Sequence, residues 1–186
     1  MDDDLLVQAA ELAERHLAGG LPRRWKHVQA VALKSDRIAH VLDDADAQAL
    51  VASAWLHDLG YASSVADTGL HALDGARWLL ANGWPRRIAA LVAHHSCAQF
   101  EADERGLGSV LAEEFDQERS PTADALWFAD MTTGPDGQDL DVLDRLAEIH
   151  QRYEPDSIVV RFWARATPTL LEAVKRTEAT LAAQPM

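Results

Sequence analysis

The chain has 186 residues, 48% of them hydrophobic and 25% charged, an ordinary globular composition that excludes disordered, collagen-like and coiled-coil classes. Its 17 Lys and Arg stand against 30 Asp and Glu, a net charge of −13, so phosphate backbones are repelled and nucleic acid is not an expected partner. In chain order, residues 4–18 read as a helix closed by Gly19-Gly20. Residues 23–42 form a second helix, with Val31, Ile38, Val41 and Leu42 on one stripe. Asp43 or Asp44 caps a third, 45–58, ended by Gly60, and a loop of small and polar residues fills 61–69. Helices follow at 71–82, stopped by Gly83, at 86–95, opened by Pro85, and at 108–118. Ser120-Pro121 supplies a cap and a first-position proline for 121–131. Residues 132–138 hold the turn sequence Gly134-Pro135-Asp136-Gly137. The tail gives helices near 139–153, 156–166 and 168–183, with breaks at Pro155 and Pro168. No segment alternates convincingly as a strand, so the reading is one all-α domain over residues 1–186.

The single cysteine, Cys97, excludes an internal disulfide and a cysteine-based metal site. No apolar run approaches the roughly 18–20 residues that cross a bilayer. The start, Met1-Asp2-Asp3-Asp4, lacks the basic region of a signal peptide. The expectation is a cytoplasmic chain with no membrane partner.

The histidines and a few acids carry the chemistry. His57-Asp58 ends an apolar helix, where a carboxylate is costly unless it is paired or bound to a cation. His27 shares the stripe of Val31, Ile38 and Val41. Asp130 follows Ala123, Leu126 and Trp127 at helical spacing, and His95 stands in the same relation to Ile88, Leu91 and Val92. His94 is rotated toward Arg87 and Ala90. Separate helices each aiming a His or Asp inward point to a shared divalent cation, for which imidazole, carboxylate and water are suitable ligands. His16, His40 and His150 fall outside this set.

The ordered set His27 … His57-Asp58 … His71 … His94-His95 … Asp130 resembles the HD-domain superfamily of metal-dependent phosphohydrolases. Arg24-Trp25-Lys26-His27, His71-Ala72-Leu73-Asp74-Gly75-Ala76 and His94-His95-Ser96 extend the likeness to the two-metal subset. The pattern is similar to the bacterial family that hydrolyses dinucleoside tetraphosphates symmetrically. The resemblance spans about 20–135 and leaves 139–186 as a C-terminal helical extension. It implies an HD-type helical bundle in which His27, His57, Asp58 and Asp130 hold one metal. Asp58 would bridge to a second metal completed by His71 and by His95, His94 or both. Fe, Mn, Zn and Mg all remain open as the ion. His57 and Asp58 take the catalytic role. A Lys that many relatives place shortly after His-Asp is missing from Leu59-Gly60-Tyr61-Ala62, so Arg24 and Lys26 are the substrate-binding candidates, ahead of Arg77 and the Arg86-Arg87 pair.

The expected reaction is hydrolysis of a phosphoester or phosphoanhydride, with a nucleotide or another small phosphorylated molecule as substrate. The metal would lower the pKa of bound water from about 15.7 toward ~7. Local divalent charge offsets the diffuse negative charge of the surface. The same ligand types also suit an HD-type di-iron oxygenase, and a non-catalytic, metal-containing nucleotide-binding module is a third reading. The helices after residue 138 either close the core or form a dimer face.

Overall fold

The computed structural model describes residues 3–184; Met1 and Asp2 of the acidic start lie outside the described residues. Among the described residues there are ten α-helices and no β-strand, so the all-α expectation holds. They are α1 (Asp3–Leu17), α2 (Pro22–Ile38), α3 (Asp44–Leu56), α4 (His71–Ala81), α5 (Arg86–Ala93), α6 (Ala98–Glu104), α7 (Gly108–Glu114), α8 (Pro121–Met131), α9 (Val142–Arg152) and α10 (Ile158–Ala183). Among the described residues no helix is long and apolar enough to cross a membrane.

Two helices are apolar all round, and both lie in the interior, as that pattern requires. In α3, Leu50 and Ala54 face one part of the core while Ala52 and Leu56 face another. In α8, Ala123, Ala125, Leu126, Trp127, Ala129 and Met131 are all buried. The first part of the core joins α2, α3, α8, α9 and α10. The second joins α1, α3, α4 and α5. The C-terminal end of α3, which carries His57-Asp58, therefore emerges between the two.

Local chemistry sets the boundaries. The Asp43 side chain caps α3 by accepting from the Asp46 amide at 2.9 Å. Ser120 caps α8 in the same way, its hydroxyl accepting from the Ala123 amide at 3.2 Å. Ser120→Ala removes the one side-chain acceptor at an end where Pro121 already lacks an amide hydrogen. We expect a loss of about 1 kcal/mol in urea denaturation, with the fold retained.

The structure departs from the expected elements in several places, including the helix expected at 86–95, which ends at Ala93, and the one near 139–153, which starts at Val142. The second helix tightens into a 3-10 turn at Ala39–Val41, and the third stops at Leu56, leaving His57 and Asp58 beyond its last turn. The segment 98–104 is an unforeseen helix, α6. The helix expected at 108–118 ends at Glu114. The break expected at Pro168 is absent, because α10 runs unbroken through it. Proline there removes one backbone bond. Burial of Phe162, Trp163, Ala166, Leu170, Ala173 and Val174 on both sides of it holds the helix together.

Candidate metal centre

The site begins where α3 ends. Neighbouring residues on a helix point about 100° apart. His57 keeps helical angles as the last cap, but Asp58 leaves them at φ −99°, ψ 8°. Both side chains therefore enter the same interior space. The 3-10 turn Leu59–Tyr61 then folds the chain against the start of α4. Gly60 makes that approach close enough that a Cβ would lie 1.9 Å from the His71 carbonyl oxygen. The loop before α4 is held by Asp74, whose buried carboxylate accepts from the amides of Asp67 at 2.9 Å and Thr68 at 3.0 Å and from the Thr68 hydroxyl at 2.6 Å. His71, the first residue of α4, is thereby fixed opposite Asp58.

Six side chains from distant parts of the chain converge here. His27, His57 and Asp130 form one group whose candidate ligand atoms lie within 4.8 Å of one another, and Asp58, His71 and His95 form a second. Asp58 faces both. Its Oδ2 is 3.3 Å from His57 Nε2 and 3.9 Å from His27 Nε2, while its Oδ1 is 3.7 Å from His71 Nε2. Within the first group, His27 Nε2 stands 3.0 Å from Asp130 Oδ1.

Three imidazoles are oriented by backbone carbonyls. Nδ1 of His27 donates to Gly134 O at 3.1 Å, that of His57 to Ala54 O at 2.8 Å, and that of His95 to Val92 O at 2.6 Å. In each case Nε2 is turned inward, the arrangement that metal-ligating histidines favour. Nε2 of His57 is fully buried and has no hydrogen-bond partner. Nε2 of His71 and of His95 face each other at 3.1 Å. His95 has already committed its ring proton to Val92, so its Nε2 presents a lone pair to that narrow gap. An orphaned nitrogen, an inward lone pair and two carboxylates suit a divalent cation, since the donor set is nitrogen and oxygen with no thiolate.

The electrostatics agree. Burial works against charge on His57, but the Asp58 carboxylate, then Asp130 and the Ala54 carbonyl, raise its pKa to about 9. Burial also opposes ionisation of Asp58, yet Arg24, His57 and His27 together hold its carboxyl well below the usual range. Asp130 is likewise held low, its burial outweighed by the His27 hydrogen bond and the surrounding imidazoles. Burial lowers the pKa of His71 and His95 and keeps both neutral. Arg24 and a protonated His57 are the cations that face the two acids.

Arg24, expected as a substrate-binding residue, reaches the site. Its Nη1 donates to Asp58 Oδ2, and its guanidinium lies 3.5 Å from the centre of the Tyr61 ring, which stacks on His71 with centroids 4.1 Å apart. A cation thus comes to the stretch that lacks the expected Lys. Lys26 does not join it and is exposed on α2. His94 lies outside both groups; its Nε2 donates to the Phe115 carbonyl at 2.8 Å. Its rotation toward the Arg87 and Ala90 side of α5 is the reason. Arg77 pairs with Glu114, and Arg87 with Asp46 and Glu118, away from the centre. His16, His40 and His150 bond to Ser64, to the Arg37 and Gln184 carbonyls, and to the Leu146 carbonyl.

One residue of the site escaped the sequence reading. Ser96 donates its hydroxyl to Asp130 Oδ2. It and Cys97 both occupy the left-handed region, at φ 45° and φ 62°. Such backbone strain in non-glycine residues clusters at functional sites. The only signal in the sequence is its place directly after the His pair. The loop 132–138 also has a definite task, since Gly134 orients His27 and Lys34 ties the loop to α2 through Thr132 O at 2.6 Å.

An all-α protein with two interlocked His/Asp groups sharing a central carboxylate belongs to the helical proteins built to hold divalent metals. The family can be named: a model of the HD domain matches residues 24–156, and the chain belongs to the HD-domain family. The match runs past the expected limit near residue 135 and takes in α9, while α10 lies beyond it. The family generally comprises metal-dependent hydrolases. No curated protein and no solved structure matches the chain.

Proposed function

We propose that the protein is a metal-dependent phosphohydrolase that cleaves a phosphoester or phosphoanhydride of a small nucleotide. The order of the histidines and acids is similar to that of bacterial symmetrical dinucleoside tetraphosphate hydrolases, which makes dinucleoside polyphosphates the first substrates to try. The observation that supports the reading is the position of Asp58, with one oxygen toward His27 and His57 and the other toward His71.

In this reading His27, His57, Asp58 and Asp130 hold one ion, and Asp58, His71 and His95 a second. The bound ions supply positive charge for phosphoryl oxygens and make water a usable nucleophile near neutral pH. The protein's own groups do the rest. The carbonyls of Gly134, Ala54 and Val92 fix the three imidazoles before substrate arrives. Ser96 holds Asp130, and Arg24 offers a guanidinium that can turn from Asp58 to a phosphoryl oxygen. His94 remains hydrogen-bonded to Phe115 and takes no part.

Anaerobic purification, elemental analysis and a hydrolysis screen over dinucleoside polyphosphates, nucleotides and simple phosphate esters test the proposal. Metal at one or two ions per chain with cleavage of a phosphoester or phosphoanhydride bond, read as nucleotide products or as released phosphate, supports it. Turnover that consumes oxygen and stops without it overturns it in favour of the oxygenase chemistry open to the same ligands.

Metal entry must displace the proton on His57. The folded pKa of about 9 lies above the ordinary 6.5. The stability this proton gives the metal-free protein is therefore fully present below pH 6.5 and lost as pH rises through about 9. We expect metal loading at pH 7 to release about one proton. Apparent affinity should rise by about tenfold per pH unit and level off above the pKa. Calorimetry in buffers of different ionisation enthalpy measures both.

A further inference from the structure

Beside the His27 group lies a pocket of about 360 Å³ lined by Arg23, Arg24, Arg145 and Arg152 together with His27. That volume is within the roughly 300–1,000 Å³ of small-molecule sites. No Asp or Glu side chain lines it. In a chain with 17 Lys and Arg and a net charge of −13, four arginines around one pocket is a marked local reversal of sign.

The pocket also contains the entry to α2, where Leu21 provides no side-chain cap and the first turn carries no acid. No cap and no acid of the helix's own first turn therefore answers the partial positive charge of that helix end. The carboxylates that pair with these arginines stand outside the lining. Arg23 makes a two-bond pair with Asp136 at 3.0 and 2.8 Å, and Arg24 bonds Asp58. Arg145 and Arg152 share the single carboxylate of Glu148, so that wall keeps a surplus positive charge. Arg145 is only 9% exposed, and its Nε has no hydrogen-bond partner. A buried donor left in this state is costly, and an anion in the pocket would relieve the local charge surplus.

We propose that this pocket binds linked phosphates, the part of the substrate that lies beyond the cleaved group. The substrate class is then a phosphoanhydride with a phosphate chain, not a simple monoester. Guanidinium groups, with their planar fork of donors, match phosphate oxygens two at a time. Arg24 touches both Asp58 and the pocket, so it joins the metal groups to the arginine wall. That the ligand is substrate rests on the hydrolase reading; the affinity for linked phosphates does not.

The test is calorimetric titration of inorganic tripolyphosphate into the full chain in the presence of EDTA, which removes any binding through metal. We expect one site per chain, weakened by salt. Affinity should fall by at least ~10-fold in Arg145→Gln and in the more exposed variants Arg23→Gln and Arg152→Gln, which keep the proposal testable if Arg145→Gln fails to fold. A nucleoside triphosphate that binds as tightly as tripolyphosphate locates recognition in the phosphate chain, and one that binds tighter adds a base contact; both support the proposal. No binding, binding unchanged by Arg23→Gln and Arg152→Gln, or equal affinity for citrate overturns it. Hydrolysis without tripolyphosphate binding would sink this inference alone, and binding without any hydrolysis would sink only the enzyme reading.

Discussion

Asp58→Asn is expected to lose metal and turnover together. The substitution keeps the size of the side chain and removes its charge. It replaces one oxygen of a group that faces His57 and His27 on one side and His71 on the other. Losing a partner that merely orients a ligand already costs about 10–100-fold in metal affinity, so loss of a shared ligand should cost more than ~100-fold. Removing one preorganised charge from a site of this kind lowers turnover by roughly 10²–10³-fold, and loss of the ions adds to that, so a fall of at least ~10³-fold is expected. The metal-free protein responds differently. Asp58 also anchors Arg24, whose side chain is 28% exposed and can be hydrated, so the cost of the broken pair should stay below the ~3–5 kcal/mol of a fully buried one. Circular dichroism should therefore show a folded chain, while elemental analysis shows the ions gone. Full metal content and activity in this variant would refute the role of Asp58.

The sequence makes the inward groups on helices legible, because helical spacing is itself a statement about direction. Asp130 after Ala123, Leu126 and Trp127, and His95 after Ile88, Leu91 and Val92, are both buried where that spacing puts them. The same spacing separates His95 from His94, whose ring turns to Phe115. Spacing fails where the helix ends. Asp58 reaches the site because the backbone leaves helical geometry at that residue, and Ser96 because two consecutive residues are left-handed. Gly60 announces an end to the third helix but not that Asp58 already leaves it, and the left-handed pair Ser96-Cys97 has no glycine or proline beside it at all. It also fails for groups that meet only in three dimensions. Arg145 and Arg152 on α9 come beside Arg24 on α2 across more than a hundred residues, and nothing local in α9 marks them. Pro168 shows the opposite error, in which a strong local signal is overruled by burial on both sides of it.

Gly60→Ala should unlock one half of the site and spare the other. Gly60 does not adopt a positive φ, so alanine meets no conformational barrier there and the cost is purely steric. Its Cβ would sit 1.9 Å from the His71 carbonyl oxygen and 2.8 Å from the Gly75 amide nitrogen. Both obstacles are backbone and cannot rotate away, so the 3-10 turn and the start of α4 must move apart. Overpacking of this severity belongs at the upper end of its usual range, about 3 kcal/mol, which for a chain of this size is roughly 6–12 °C in Tm. The movement opens the Asp58–His71 separation of 3.7 Å directly, because the two residues flank the contact. His27 and Asp130 reach the site from α2 and α8, and His57 is held as the cap of α3 by its bond to Ala54, so these three are not pushed directly. Metal titration should then show the group of Asp58, His71 and His95 weakened more than the group of His27, His57 and Asp130. Gly19→Ala is the control, since a Cβ there has nothing within 4 Å and should leave Tm and metal content unchanged. A Gly60→Ala protein that melts with the wild type and binds metal identically would show that the close approach of the turn to α4 does not set the position of His71.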